Sequence, residues 1–181
     1  MSRILAISGS LRRGSINSAV LTAAVLLAPQ DMLIEIYRGL GDLPLFNPDL
    51  EGSVFPAAVA EFRRLVASSD GLLICSPEYA RGVAGAMKNA LDWLVSATEF
   101  PGKPTAVVNA SQRSTDADAH LRLTLTTMSA RLVTRASIML PLLGTRYEAG
   151  DIVADARFAT PLGAALAELA FALRDRPETV D

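Results

Sequence analysis

The chain has 181 residues, of which 50% are apolar and 20% charged, and its formal net charge at pH 7 is −2. This length predicts one domain covering residues 1–181, and the near balance of charge argues against a nucleic-acid-binding surface. A single cysteine and a single histidine argue against a disulfide and against a metal site, and the lack of a long apolar run or a separate leader predicts a cytoplasmic protein without membrane association.

The first predicted strand, at residues 4–7, runs into a loop with the sequence SGSLRRGSIN. Gly9 and Gly14 allow backbone N–H groups to approach an anion, and Arg12 supplies a positive charge. A helix beginning at Ser15 adds the positive end of its dipole. The hydroxyl and amide donors of the loop are those of Ser10, Ser15 and Asn17. The pattern predicts a site for the phosphate of a small molecule; the alternative is an ordinary strand-to-helix turn with Ser15 as the N-cap.

Two better-known phosphate motifs do not match this loop. Gly9 and Gly14 have the spacing of a Walker A loop, but Ser15 stands where that motif requires a lysine. The dinucleotide fingerprint needs closer glycines and an acidic residue at the end of the second strand, where this chain has Arg38. Both an NTPase and a Rossmann-type dinucleotide site are therefore disfavoured.

Short β-branched runs alternate with helical patterns along the whole chain. Strands are predicted at residues 4–7, 33–37, 71–75, 105–109 and 133–139, and helices at residues 15–28, 56–67, 84–97, 116–131 and 160–174. This alternation is typical of an α/β fold, a doubly wound five-stranded parallel sheet of order 2-1-3-4-5 with helices on both faces. Ligands of such sheets bind where the strand order reverses, which directs attention to the loops at residues 9–17 and 76–85.

The second of these loops contains Cys75 and Arg81 at the C-x5-R spacing of thiolate phosphatases. Pro77 lacks an N–H group, Glu78 would place negative charge beside a phosphate, and Cys75 ends an apolar strand. We therefore interpret the C-x5-R match as a coincidence and Cys75 as a packing residue.

Read with the first loop, GSLRRGSIN, the segment SPEYARGVAGAMKNALDW resembles the NADPH-dependent FMN reductase family. This flavodoxin-like group includes quinone, azo-compound and chromate reductases. Residues 43–49, LPLFNPD, are similar to the long loop that follows the second strand in the family. The resemblance covers nearly the whole chain.

The resemblance implies three groups of FMN-binding residues. The phosphate group comprises Ser10, Arg12, Ser15, Ile16 and Asn17; the segment beside the isoalloxazine comprises Pro77, Glu78, Tyr79, Ala80, Arg81 and Gly82; and a third loop contributes Ser111, Gln112 and Arg113. Many members have Asn, Ser and Pro at the positions of Ala80, Gly82 and Ala84, so backbone donors carry more of the ring contacts here. For the third loop, a turn and N-cap role of Ser114 and Thr115 is the alternative.

The implied activity is an FMN-dependent NAD(P)H oxidoreductase with a ping-pong cycle and a quinone, free flavin, azo compound or metal oxyanion as acceptor. The flavin carries the chemistry, so no catalytic side chain is expected. Arg13, Arg81 and Arg113 are candidates for attracting the phosphate of the nicotinamide cofactor, NADPH or NADH. The alternative is an FMN-binding electron carrier, although such carriers are commonly more acidic.

The resemblance also implies a homodimer or homotetramer. We expect Phe46, at the tip of the loop at residues 43–48, to cover a neighbour's flavin, and Trp93 to anchor the subunit interface. The alternative is that both side chains pack within their own subunit.

Overall fold

The computed structural model describes residues 1–52, 54–144 and 146–175. Its strands are β1 (Ser2–Ser8), β2 (Met32–Tyr37), β3 (Gly71–Cys75), β4 (Glu78–Tyr79), β5 (Gly82–Val83), β6 (Pro104–Val107) and β7 (Arg131–Leu132). Five of them form one parallel sheet of order β2-β1-β3-β6-β7, while β4 and β5 form a separate antiparallel hairpin. The predicted fold and strand order are confirmed.

Helices cover both faces of this sheet. They are α1 (Ile16–Leu26), α2 (Ala57–Ser68), α3 (Gly85–Asp92), α4 (Thr115–Thr127), α5 (Ala149–Ala154) and α6 (Ala156–Arg174), with short 3-10 turns at Leu40–Asp42, Pro48–Leu50 and Thr134–Ala136. Because side chains alternate along a strand, β1 sends Ile4 and Ala6 into a core beneath α1, α5 and α6. Leu5 and Ile7 enter the opposite core, beneath α2, α3 and α4.

Among the described helices, α6 has the length and apolar composition of a membrane span. Its Leu162, Leu166 and Leu169 are nevertheless buried in the core on the α1 side of the sheet. These contacts are those of a core helix in a folded domain.

The predicted fifth strand at residues 133–139 was wrong as a continuous element. The strand proper is β7, and the chain then makes the 3-10 turn Thr134–Ala136 before it returns to β6. Ser137 Oγ accepts the Val107 N–H at 3.1 Å, and Ile138 N donates to Val107 O at 3.1 Å. A hydroxyl thus replaces a backbone acceptor at this interruption of the edge strand.

Several helix boundaries also differ from those predicted. α6 begins four residues before the predicted start at residue 160, because Asp155 caps it by accepting the Arg157 N–H at 3.0 Å. α4 ends at Thr127, which leaves Arg131 free to enter the sheet. α3 ends at Asp92, and neither α5 nor the β4-β5 hairpin was predicted.

The expectation that Trp93 anchors a subunit interface was wrong for this chain, whereas the subunit contact expected of the half-buried Phe46 stays a prediction. Trp93 is fully buried, and its ring meets that of Phe46 edge-to-face at a centroid distance of 5.0 Å. Trp93 Nε1 donates to Pro44 O at 2.8 Å, and the Phe46 N–H donates to Asn89 Oδ1 at 2.7 Å. The loop after β2 is therefore fastened to α3 of the same subunit.

Candidate functional site

The loops that follow β1 and β3 meet at Gly9. Its N–H donates to Cys75 O at 2.9 Å, and a β-carbon placed on Gly9 would lie 2.2 Å from Ser76 Oγ and 3.1 Å from Ser76 Cα. Only glycine allows this approach. At the point where the strand order reverses, between β1 and β3, the two loops are therefore in direct backbone contact.

The loop after β1 is ordered by its own hydroxyl groups. Ser10 Oγ accepts the Arg12 N–H at 3.3 Å, and Gly14 has a φ of +66°, a conformation that favours glycine. Ser15 is the N-cap of α1, and its Oγ accepts from the N–H and the Nδ2 of Asn17 at 3.2 and 3.3 Å. As a hydroxyl, it keeps a hydrogen with which it can still donate to a ligand.

Cys75 lies beneath this loop. It is fully buried, its Sγ donates to Asn17 Oδ1 at 3.3 Å, and burial raises the pKa of the thiol far above its ordinary value. The other half of the C-x5-R spacing, Arg81, forms an ion pair with Asp116 at 3.5 Å. A protonated, inaccessible thiol is no nucleophile, which supports the interpretation of Cys75 as a packing residue.

A cleft of about 770 Å³ opens at this end of the sheet. Four chain segments line it: Arg12, Arg13, Gly14, Ile16 and Asn17; Ser76, Pro77 and Glu78; Asn109, Ala110, Ser111 and Ser114; and Leu142, Leu143, Gly144, Arg146 and Tyr147. Its volume is in the range of small-molecule and cofactor sites.

The structure places the predicted site residues in two groups. Those that line the cleft are Arg12, Ile16, Asn17, Pro77, Glu78 and Ser111. Those that are not among the lining residues are Ser10, Ser15, Tyr79, Ala80, Arg81, Gly82, Gln112 and Arg113. In the second group, Ser10 and Ser15 order the first loop, and the Arg113 N–H donates to Ser111 Oγ at 3.2 Å.

Sequence reasoning missed the fourth group of lining residues, Leu142, Leu143, Gly144, Arg146 and Tyr147. These residues form no recognisable binding motif, yet they come after the last strand of the sheet. In a parallel sheet the carboxyl ends of all strands face the same edge, and this topological rule was the available signal. Asn109 was also missed; its Oδ1 accepts the Ser111 N–H at 2.9 Å, and its Nδ2 donates to Ser114 O at 2.9 Å.

The hairpin between β4 and β5 borders the cleft. Its two-residue turn consists of Ala80 and Arg81, whose φ angles are 49° and 63°, and Tyr79 is 58% exposed beside it. Positive φ at both turn positions favours asparagine and glycine, so this turn stores backbone strain. Glu78 Oε2 accepts the Ala117 N–H at 2.9 Å. This bond satisfies one backbone N–H group in the first turn of α4, where the N-cap Ser114 makes no side-chain hydrogen bond.

The cleft is positively charged. Arg12, Arg13 and Arg146 line it, and within the described ranges no carboxylate lies in ion-pair distance of any of the three. Glu78 contributes the one carboxylate among the lining residues, and this carboxylate accepts a hydrogen bond from the Ala117 N–H of α4. The arrangement suits an anionic ligand such as a phosphate monoester.

Comparison with known proteins agrees with this chemistry. Residues 2–142 match the family model described as NADPH-dependent FMN reductase. The chain belongs to that family. An NAD(P)H-dependent FMN reductase of Pseudomonas aeruginosa is 38% identical over 152 residues, covering 81% of this chain and 82% of the relative. A 2-hydroxy-1,4-benzoquinone reductase of Burkholderia sp is 38% identical over 66% of this chain and 68% of its own length.

A similar solved structure is FerB, a flavoenzyme NAD(P)H:(acceptor) oxidoreductase from Paracoccus denitrificans. Its TM-score is 0.80 at 25% identity, with 97% of this chain and 99% of FerB covered. The protein is thus a flavodoxin-like oxidoreductase of the FMN reductase family, with FMN and NAD(P)H as its cofactors.

The residues of the cleft fit FMN. Gly14 has open space where its β-carbon would be, and the N-terminus of α1 brings backbone N–H groups beside Arg12. This donor set matches a phosphate. The lining on the other side, at Pro77 and Ala110, is apolar and suits the flat face of a flavin ring.

Proposed function

We propose that this protein transfers hydride from NAD(P)H to quinones, using FMN held in the cleft at the carboxyl ends of β1 and β3. The observation that carries the proposal is one cleft lined by three guanidinium groups, none of which has an ion-pair partner among the described residues, together with the apolar residues Pro77 and Ala110. The names of the relatives, an FMN reductase and a 2-hydroxy-1,4-benzoquinone reductase, support the same activity.

We assign the work of the chain to holding and orienting. Arg12, the hydroxyls of Ser10 and Ser15 and the start of α1 bind the phosphate, while Ile16 and Asn17 pack beside it. Pro77, Glu78 and Tyr79 border the ring, and the third loop, through Ser111, Gln112 and Arg113, faces the ribityl chain. When bound, FMN supplies the hydride-transfer chemistry itself.

The hairpin turn has a separate role in this proposal. The backbone N–H groups of Ala80, Arg81 and Gly82 are held near the cleft by a turn that Glu78 fastens to α4. Backbone donors aimed at the ring edge where negative charge grows on reduction stabilise that charge without reorganising.

In this proposal both substrates use the same face of the flavin in a ping-pong order: NAD(P)H binds and its oxidised product leaves before the acceptor enters. Quinones are the acceptors we favour. Free flavin, azo compounds and metal oxyanions remain predictions of the family resemblance. Arg13, Arg81 and Arg113 are candidates for attracting the phosphate of NADPH.

The test uses purified protein reconstituted with FMN. The visible flavin spectrum reports cofactor retention, and NADPH oxidation is followed while a benzoquinone is varied at several fixed NADPH concentrations. Parallel double-reciprocal lines are expected for the ping-pong order. Intersecting lines contradict that order, and FMN retention without NADPH oxidation indicates an electron carrier.

We also propose a homodimer or homotetramer in the cytoplasm, built from this single domain. Leu45, in the loop after β2, is 83% exposed, and a second subunit that covers this loop would bury its side chain. Sedimentation over a dilution series, for wild type and Leu45→Glu, tests it. A wild-type protein that stays monomeric at micromolar concentration contradicts the proposal.

A further inference from the structure

Some arginines of this chain form ion pairs with carboxylates of the same fold, and others do not. Arg135 pairs with Glu168 at 3.8 Å, and Arg174 pairs with Asp31 at 3.0 Å. Arg12, Arg13 and Arg146, which line the cleft, have no carboxylate partner within the described ranges. Guanidinium groups that line the same cleft repel one another, and a bound anion relieves this repulsion.

Arg146 lines the cleft from a different chain segment than the first loop. It lies shortly before α5, and α5 packs directly against α1, the helix whose N-terminus closes the phosphate-binding loop. The neighbouring Tyr147 is held by an edge-to-face contact with Phe158 at a centroid distance of 5.7 Å. Because Phe158 is buried in the core, the backbone beside Arg146 has a fixed anchor.

This position directs Arg146 to the α1 end of the cleft and away from the hairpin. Glu78 and the turn beyond it pack against α4, on the opposite face of the sheet from α1 and α5. A guanidinium beside the N-terminus of α1 can contact the same anion as the phosphate-binding loop. A guanidinium beside the hairpin would instead contact the substrate that binds over the flavin ring.

We infer that Arg146 is a second cationic contact for the FMN phosphate, supplied by the segment that leads into α5. The inference rests on the proposed binding of FMN in this cleft. A phosphate monoester carries nearly two negative charges at neutral pH, and its three terminal oxygens can accept from two guanidinium groups as well as from backbone N–H groups. Arg146 lies outside residues 2–142, the part that matches the family model.

The experiment titrates apoprotein with FMN and with riboflavin, which lacks the phosphate, and follows the quenching of flavin fluorescence. Arg146→Gln should weaken FMN binding about tenfold or more, the usual effect of losing one charge-assisted contact, and leave riboflavin binding unchanged. Arg146→Lys keeps the charge and should lose less. Arg135→Gln, which removes an arginine paired with Glu168, is the matched control and should change neither affinity.

Two results overturn the inference. One is an unchanged FMN affinity in Arg146→Gln; if the preference between NADPH and NADH changes at the same time, Arg146 is assigned to the nicotinamide substrate. The other is an equal loss for FMN and riboflavin, which indicates a structural effect. Wild-type apoprotein that binds no FMN overturns the proposed function as well, so the two failures are distinguishable.

Discussion

At the scale of single residues, substitution of Arg12 should change ligand binding without changing the stability of the fold. Its side chain lines the cleft with no ion pair among the described residues. Arg12→Ala should therefore weaken FMN binding by about 1–3 kcal/mol, the range for a hydrogen bond to a charged group, with unchanged thermal stability. Titration with FMN and riboflavin measures it, with Arg38→Ala as an exposed control at another site. Equal losses for the two ligands would contradict the assignment of Arg12 to the phosphate.

Gly9 couples binding to folding, since its contact with Ser76 joins the two loops. Gly9→Ala should lower the free energy of unfolding by about 1–3 kcal/mol, as overpacked sites do, and weaken FMN binding at the same time. Adding Ser76→Gly removes the atoms at 2.2 and 2.8 Å from the new β-carbon and should restore part of both losses.

A glycine without neighbours provides the control for this change. A β-carbon at Gly163, within α6, meets no atom within 4 Å beyond its chain neighbours and the nearby backbone of its own helix, so Gly163→Ala should raise the free energy of unfolding by about 0.5–1 kcal/mol through helix propensity. Chemical denaturation measures both variants. If Gly9→Ala proves as harmless as Gly163→Ala, the loops do not need the close approach.

Among the secondary-structure elements, the β4-β5 hairpin contains backbone strain that a substitution can relieve. Ala80 has a φ of 49°, where asparagine is better tolerated than alanine. Ala80→Asn should raise the free energy of unfolding by about 0.5–1 kcal/mol, and Ala80→Val should lower it because β-branched residues fit this region worst. Thermal unfolding of the three proteins measures the order. Equal stabilities would show that the turn is not strained.

The elements also show how far sequence reasoning reaches. Residues of β1 and β3 were predicted well, because a central strand of a parallel sheet is buried on both faces and its apolar run is continuous, as in Gly71–Cys75. The edge strand failed: its interruption depends on Ser137 Oγ replacing a backbone acceptor for Val107. Local composition does not reveal such an exchange.

The residues of the candidate site also differ in how readily the sequence reveals them. The first loop was recognisable because its donors lie close together in the chain, from Ser10 to Asn17. Arg146 and Asn109 belong to the cleft only through the sheet that assembles it. The cap that Glu78 provides for Ala117, across 39 residues, likewise depends on tertiary structure.

For the whole molecule, Tyr37 links stability to alkaline pH. Burial, with the negative charges of Asp42 and Glu61, raises its pKa from 10.0 to about 12. The folded state keeps the phenol proton in this window while the unfolded state loses it, so the free energy of unfolding should fall as pH rises from about 10 to about 12. Tyr37→Phe should show a smaller fall over the same range in urea denaturation. Identical pH profiles for the two proteins would contradict the shift.

The core on the α1 side of the sheet joins Ile4 of β1 to Leu173 of α6. Because synthesis runs from the amino end, the strand that leads into the phosphate loop leaves the ribosome long before the helix that covers it. We therefore expect FMN to bind only after α6 has been translated. Nascent chains stalled before α6 should retain no FMN, whereas chains extended until α6 has left the ribosome should capture it.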